Sequence, residues 1–407
     1  MYDRLLAPPE RQSFFLFGPR GVGKTAWLRA RLEGAVWFDL LDAEVYTRLL
    51  ARPERLGELI PRVHRGWVVV DEVQRLPELL NEVHRLVESR RLRFALTGSS
   101  ARKLRRRGVN LLAGRALTRF MHPLTALELG ADFDLARAIR WGGLPFACTE
   151  DDPRDYLQSY VSTYLREEVL AEGLARNLGS FARFLEAVSF SQGSVLNVAS
   201  LARECGVSPK VAHDWVGVLE DLLVAVRLPV FTRRAKRRLV AHPKLYLFDA
   251  GVFGAVRPRG PLDIAEEIAG PALETVVLAN LRAVNDALGL RYGIHYWRAA
   301  DGNEVDFVLY GEHGLLAFEV KRTARVRDED LRGLRELKRD YPEAQAYLLH
   351  GGTRTWHDRG VDIVPAAEML SRLDAVLAGE REQPTPARAS RRAKSPRRRA
   401  PDRSASR

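Results

Sequence analysis

The sequence predicts an α/β protein that opens on a parallel sheet with helices on both faces, and three stretches predict it. Phe14-Phe15-Leu16-Phe17 is an apolar run that enters a glycine-rich loop and then a helical segment. Gly66-Trp67-Val68-Val69-Val70 carries four consecutive apolar residues, three of them β-branched, as a strand buried on both faces of a parallel sheet demands. Leu92 to Leu96 is a third strand. At 407 residues and 46% hydrophobic content the chain is a globular protein too long for one core, so smaller domains are expected downstream.

The loop after the first strand carries the chemistry. Gly18, Pro19, Arg20, Gly21, Val22, Gly23, Lys24 and Thr25 fit the pattern G-x-x-x-x-G-K-[ST]. Glycines let successive N–H groups turn toward phosphates, Lys24 neutralises charge, and Thr25 offers a hydroxyl to Mg²⁺. The positive end of the helix opening at Lys24 adds to this, so a nucleoside triphosphate is the expected ligand. Hydrolysis needs more: a carboxylate for the metal and a base for water. Asp71 and Glu72 emerge at the carboxyl end of the second strand, where open α/β sheets bind ligands, and are assigned to Mg²⁺ and to the attacking water; the alternative is a solvated acidic turn.

Two further groups are candidates on the same ground. Thr97-Gly98-Ser99-Ser100 ends the third strand, and the hydroxyls of Thr97 and Ser99 are assigned to the lytic water or γ-phosphate, or else form an ordinary turn. Arg115 follows a basic segment, Arg102 to Arg107, and is assigned to a γ-phosphate in its own subunit or, in a homo-oligomer, its neighbour's. The alternative is a surface arginine beside a strand.

Gly18 to Thr25, Val68 to Glu72 with Gln74, Thr97 to Ser100, and Gly114-Arg115 followed by Pro123-Leu124 and Glu128 together resemble a family of prokaryotic AAA-type ATPases. Its members carry a winged helix and a restriction-endonuclease-like domain C-terminally, and the resemblance reaches about residue 370. It implies ATP and Mg²⁺ as cofactors and a P-loop NTPase fold for residues 1–130. A helical lid over 131–180, a winged helix over 181–252 and a small α/β nuclease-like domain over 253–376 would follow, then a disordered basic tail over 377–407.

Residue patterns downstream bear on each part. Trp141-Gly142-Gly143-Leu144-Pro145 is a turn leading to a helical stretch, Tyr156 to Leu170. Val198 to Glu204, the turn Cys205-Gly206-Val207-Ser208-Pro209 and Lys210 to Leu223 have helix-turn-helix character. Strands over Val224 to Phe231 and Lys244 to Phe248 flank Arg233, Arg234, Lys236, Arg237 and Arg238, like a basic wing. Lys210 and His213 on the second helix and these five wing residues are the expected DNA contacts. Otherwise the wing is a solvated charge run.

Glu304-Val305-Asp306-Phe307-Val308-Leu309 and Leu315 to Lys321 read as a hairpin through Gly311 to Gly314. Alternation puts Glu319 and Lys321 on one face, and Asp306 approaches from the partner strand. Two carboxylates and a lysine suit metal-dependent phosphodiester hydrolysis, with Asp306 and Glu319 on the metal and Lys321 orienting or deprotonating water. Lysine is scarce in this arginine-rich chain, which gives Lys321 weight. The spacing is similar to the PD-(D/E)xK nuclease pattern, and that resemblance implies Glu274 as a third metal ligand.

Charge and composition set limits. The net charge is +12, but Arg381 to Arg407 hold ten basic and two acidic residues, leaving +4 for the rest. That tail lacks aliphatic anchors; it is either attracted to phosphate backbones in a salt-sensitive way or a dispensable extension. No run approaches bilayer-spanning length and no signal-peptide core is present, so no membrane and a cytoplasmic location are expected. Cys148 and Cys205 suggest neither a disulfide nor a metal site. The nine histidines show no ligand spacing and no G-x-S-x-G elbow occurs. The leading expectation is a Mg²⁺-dependent ATPase coupling nucleotide state to a DNA-binding, nuclease-like module. The alternative is an ATP-driven switch that binds a protein partner, with its nuclease-like domain catalytically silent.

Overall fold

Strand β1 (Ser13–Phe17) is buried at every position because its alternate side chains feed two different cores: Phe14 and Leu16 one, Phe15 and Phe17 the other. The computed structural model describes residues 2–100, 112, 114–165, 178–232, 242–258, 260 and 264–380. With β2 (Val36–Asp39), β3 (Trp67–Asp71), β4 (Arg93–Gly98) and β5 (Ala116–Phe120), β1 forms a five-stranded sheet of order β2-β3-β4-β1-β5. Every pairing is parallel. The helix Lys24–Arg31 covers one face through Trp27 and Leu28, and Leu79–Arg90 covers the other through Leu79, Leu80, Val83 and Leu86.

Short helices follow: Leu135–Trp141, Pro145–Thr149 and Arg154–Ser159, the last continuing as a π-helical turn over Tyr160–Leu165. Three more, Leu178–Phe190, Val198–Cys205 and Pro209–Asp221, pack through Phe181, Phe184 and Trp215. Asn197 and Ser208 cap the latter two, accepting from the backbone N–H of Ser200 and Val211. A two-stranded antiparallel sheet completes this unit: β6 (Ala225–Leu228) and β7 (Lys244–Leu247). β6 is shorter than the predicted strand over Val224 to Phe231. Its ladder stops before Pro229, and the Pro229 carbonyl and Phe231 N–H bond Tyr296 instead.

The C-terminal unit is a six-stranded mixed sheet, order β12-β13-β11-β10-β9-β8. Its strands are β8 (Gly293–Arg298), β9 (Glu304–Gly311), β10 (Gly314–Lys321), β11 (Gln345–His350), β12 (Trp356–Asp358) and β13 (Val361–Pro365). β9 and β10 form the predicted hairpin, pairing Phe307 with Phe318. The helix Arg332–Asp340 covers one face through Leu334 and Leu337. On the other runs the helix Ala265–Ala287, whose Asn280 accepts from the Ala126 N–H and whose Asp286 pairs with His122 at 2.7 Å. One core cluster is continuous from Phe14 of the first sheet to Phe318 of the last. No described helix is long and apolar enough to cross a membrane.

Gly142 marks a tight join between these parts. Its φ is +74°, and a Cβ there would lie 2.1 Å from Asp249 Oδ1. Gly142→Ala is expected to destabilise the fold by roughly 2 kcal/mol or more, from backbone strain and a displaced carboxylate together. Thermal unfolding checks this, and an unchanged melting temperature would show that the loop yields freely.

Candidate functional site

Because β1, β3 and β4 run the same way, their carboxyl ends bring the glycine loop, Asp71-Glu72 and Thr97 to Ser100 to one edge of the sheet. Gly23 is the N-cap of Lys24–Arg31, so that helix's free N–H groups lie at the loop. Lys24 Nζ is buried and donates to the carbonyls of Gly18 (2.7 Å) and Pro19 (3.1 Å). Thr25 Oγ1 donates to Asp71 Oδ2 at 2.7 Å. That is close to the roughly 2.9 Å between neighbouring oxygens around octahedral Mg²⁺ with bonds of about 2.05 Å. Thr25 and Asp71 therefore fit the ion.

The acidic pair is held from beneath. Thr97 Oγ1 donates to Asp71 Oδ1 and accepts from the Glu72 N–H at 3.1 Å, and Thr97 is wholly buried. The sequence assigns Thr97 to water or γ-phosphate; its hydroxyl is committed to the acidic pair instead. Ser99 accepts from Gln74 Nε2 at 3.0 Å, and the same amide donates to Glu72 Oε2. Glu72 is left-handed, φ 56° and ψ 45°, a conformation that costs a non-glycine residue about 1–3 kcal/mol and persists where surroundings impose it.

Arg115 departs from expectation. β5 is parallel to β1 with Ala116 beside Ser13, so Arg115 lies at the amino edge of the sheet, opposite the glycine loop, in an exposed pair with Glu88. It cannot serve a phosphate in its own subunit. The basic segment Arg102 to Arg107 lies outside the described residues.

The helical segment 154–165 reaches the loop by a row of tyrosines that the sequence reading did not single out, although Tyr156, Tyr160 and Tyr164 recur every four residues. Tyr160 Oη donates to the Arg20 carbonyl at 3.1 Å, and the Arg20 guanidinium stacks 5.0 Å over the Tyr164 ring. Gly21, at φ +81°, has the Tyr156 hydroxyl so near that a Cβ would meet it at 2.8 Å. Leu144 and Pro145 lie against Gly21 and Gly23. Behind them Asp249, buried just after β7, accepts from the N–H groups of Gly143 (2.7 Å), Gly251 (2.9 Å) and Val252 (3.0 Å). Burial pushes its carboxyl up to about 6, against the pull of those three bonds.

In the C-terminal unit the structure brings Glu274, Asp306, Glu319 and Lys321 into one neighbourhood, together with Lys244, Tyr246 and Glu304. Lys321 Nζ pairs with Glu319 Oε1 at 2.7 Å. Asp306 Oδ2 accepts from the Val320 N–H at 2.9 Å and its Oδ1 lies 3.5 Å from Lys244 Nζ, which also pairs with Glu304. Tyr246 Oη donates to Glu274 Oε2 at 2.8 Å. Glu319 Oε2 is buried without a hydrogen-bond partner among the described residues. Burial, then the Asp306 charge, pushes Glu274 up to about 8 and Glu319 well above the carboxylate range. Burial alone would lower the Lys321 ammonium, but Glu319 and Asp306 outweigh it and the net shift is upward. A lysine held charged is no base, so of the roles expected of Lys321 deprotonation of water falls away, while orienting water and offsetting charge remain open to it.

Among the described residues no three His, Cys, Asp or Glu side chains are grouped to hold a metal. Lys244 went unremarked in the sequence, yet it too is one of few lysines and heads the apolar strand Lys244-Leu245-Tyr246-Leu247. Lys210 and His213 are exposed near the start of Pro209–Asp221. Arg233, Arg234, Lys236, Arg237 and Arg238 lie outside the described residues, as do 381–407.

Residues 10–130 match a family model described as an AAA domain. The N-terminal region is therefore similar to AAA domains and carries the glycine loop of a P-loop fold. Residues 132–263 and 269–369 match two models described as domains of unknown function, DUF8612 and DUF4143. No curated protein matches the chain. Among solved structures, the Aeropyrum pernix ORC1 protein in complex with DNA is 17% identical, covering 61% of this chain and 87% of its own, with a TM-score of 0.26. Protein VC1899 from Vibrio cholerae is 14% identical, covering 89% and 97%, with a TM-score of 0.22. Scores this low leave fold and function to rest on the family model and the site itself.

The raised Glu274 carboxyl has a pH signature. The folded chain keeps this proton up to about pH 8 whereas the unfolded chain loses it near 4.5, so stability falls as pH rises through that window, by ~1.4 kcal/mol per unit for one proton. Glu274→Gln should flatten the slope. Urea unfolding at pH 5, 6.5 and 8 measures it, and equal slopes in both proteins would remove Glu274 as the source.

Proposed function

We propose that the chain is a Mg²⁺-dependent ATPase whose nucleotide state is passed to its C-terminal unit. The observation that carries this is Thr25 Oγ1 on Asp71 Oδ2 directly beneath the lysine-bearing loop. Lys24 exchanges its contacts with the Gly18 and Pro19 carbonyls for the β- and γ-phosphates, and the loop's N–H groups surround the remaining oxygens. Mg²⁺ held by Thr25 and Asp71 would supply charge compensation on the phosphate oxygens. Glu72 takes the proton of the attacking water; its left-handed backbone and the Gln74 amide aim the carboxylate, and Thr97 fixes the strand end from which it projects. Arg115, if it contributes, does so across a subunit boundary in a homo-oligomer.

Coupling runs through the lid. Tyr156, Tyr160 and Tyr164 rest on Arg20 and Gly21, and the segment 142–145 links that loop to Asp249, at the far end of the strand that carries Lys244. DNA is the proposed partner of the downstream unit, through Lys210, His213 and the basic residues 233–238. A second reading, a switch that engages a protein while its nuclease-like unit stays silent, is favoured by one observation: the Lys244 ammonium inside the carboxylate cluster.

Glu72→Gln should retain ATP binding and lose at least about 10²-fold in turnover, read by nucleotide filter binding beside phosphate release; undiminished release would rule out Glu72 as the base. Hydrogen exchange of β7 should change when ATP binds and no longer respond in Asp249→Ala. A response identical to the wild type would break the proposed link. A supercoiled plasmid with Mn²⁺ separates the two readings: nicking that Asp306→Ala abolishes supports the nuclease, and no nicking by either supports the switch.

A further inference from the structure

The carboxylate cluster already contains a cation. Lys244 is 2% exposed, and its ammonium pairs with Glu304, lies 3.5 Å from Asp306 Oδ1 and rests 5.4 Å over the Tyr296 ring. β7, which carries it, is fixed on both sides: by β6 on one, and on the other by bonds from Gly193 N–H to the Leu245 carbonyl and from Leu247 N–H to Gln192 Oε1. The side chain therefore has little freedom to swing away.

A divalent ion on oxygen ligands needs bonds of about 2.0–2.6 Å and several free carboxylate oxygens. Here Glu319 Oε2 is open, without a hydrogen-bond partner among the described residues, but Asp306 Oδ2 is taken by the Val320 N–H, its Oδ1 faces Lys244, Glu274 Oε2 is taken by Tyr246, and Glu319 Oε1 by Lys321. An ion placed on Asp306 would meet the ammonium in a nearly dry site, where like charges repel strongly. These residues as arranged do not fit a metal.

We infer that Lys244 is the resident counter-cation of this cluster and that its ammonium excludes a divalent ion from Asp306, Glu319 and Glu274. The inference is independent of the ATPase proposal, since it concerns a cluster that contains no part of the glycine loop. Removing the ammonium while keeping the stem leaves Asp306 and Glu304 without the counter-charge of Lys244, with Lys321 still on Glu319, and a divalent ion then takes the vacated place.

The test uses full-length chains carrying Asp71→Asn to weaken the N-terminal site, with Mn²⁺ binding read by electron paramagnetic resonance in the absence of nucleotide. With Lys244 present, binding is expected no tighter than about 1 mM, the weak end for oxygen-ligand sites. Lys244→Met should gain one tighter Mn²⁺ per chain and lose it again when combined with Asp306→Asn. A tight ion in the Lys244 protein that Asp306→Asn removes would overturn the inference, as would a folded Lys244→Met that binds none. Should Lys244→Met be too unstable to titrate, its melting temperature answers the same question: a rise with Mn²⁺ that Asp306→Asn abolishes supports exclusion by Lys244, and no rise refutes it.

Discussion

A single buried carboxylate, Asp249, ties the segment beside the glycine loop to the helix that follows β7. It accepts three backbone N–H groups, one from the segment beside the glycine loop and two from the helix Ala250–Val256 that follows β7. Burial pushes its carboxyl up to about 6, and the three donors hold it below where burial alone would put it. Losing the Gly143 donor would leave a desolvated charge part-satisfied. The contact thus behaves as closed or broken, with little stable in between.

Two stiff elements carry that join toward the C-terminal sheet. One is β7, with Asp249 just beyond its last residue and Lys244 at its first. The other is the helix Ala265–Ala287, which meets the first domain through Asn280 and Asp286 and reaches the carboxylate cluster with Glu274. From Glu274 to Asp286 is about 18 Å of helix at 1.5 Å per residue. The shared core beneath both is continuous, so a hinge there would expose apolar surface.

The two charged sites are opposites in design. At the glycine loop, Lys24 donates to two carbonyls of its own loop and Glu72 is held in a left-handed backbone. In the C-terminal cluster the cations are ion-paired with carboxylates and clamped by strands, so that exchange requires breaking buried pairs.

The sheet strands β1, β3 and β4, the loop Gly18 to Thr25 and the acidic pair could be read from the chain because each is a contiguous stretch whose burial and chemistry depend on near neighbours. The β9–β10 hairpin was legible for the same reason: alternation and a short turn are local. The edge on which Arg115 falls was not, since it depends on β5 pairing parallel to β1, a contact between segments a hundred residues apart. Nor was the commitment of Thr97 to Asp71, which requires β3 and β4 to be neighbours. Lys244 was the least visible, because its meaning comes entirely from Glu304 and Asp306 across a different sheet. Sequence alone determined which residues could bind phosphate or carry charge; tertiary structure decided which charges meet, because electrostatic energy depends on distance and burial, and neither is written along the chain.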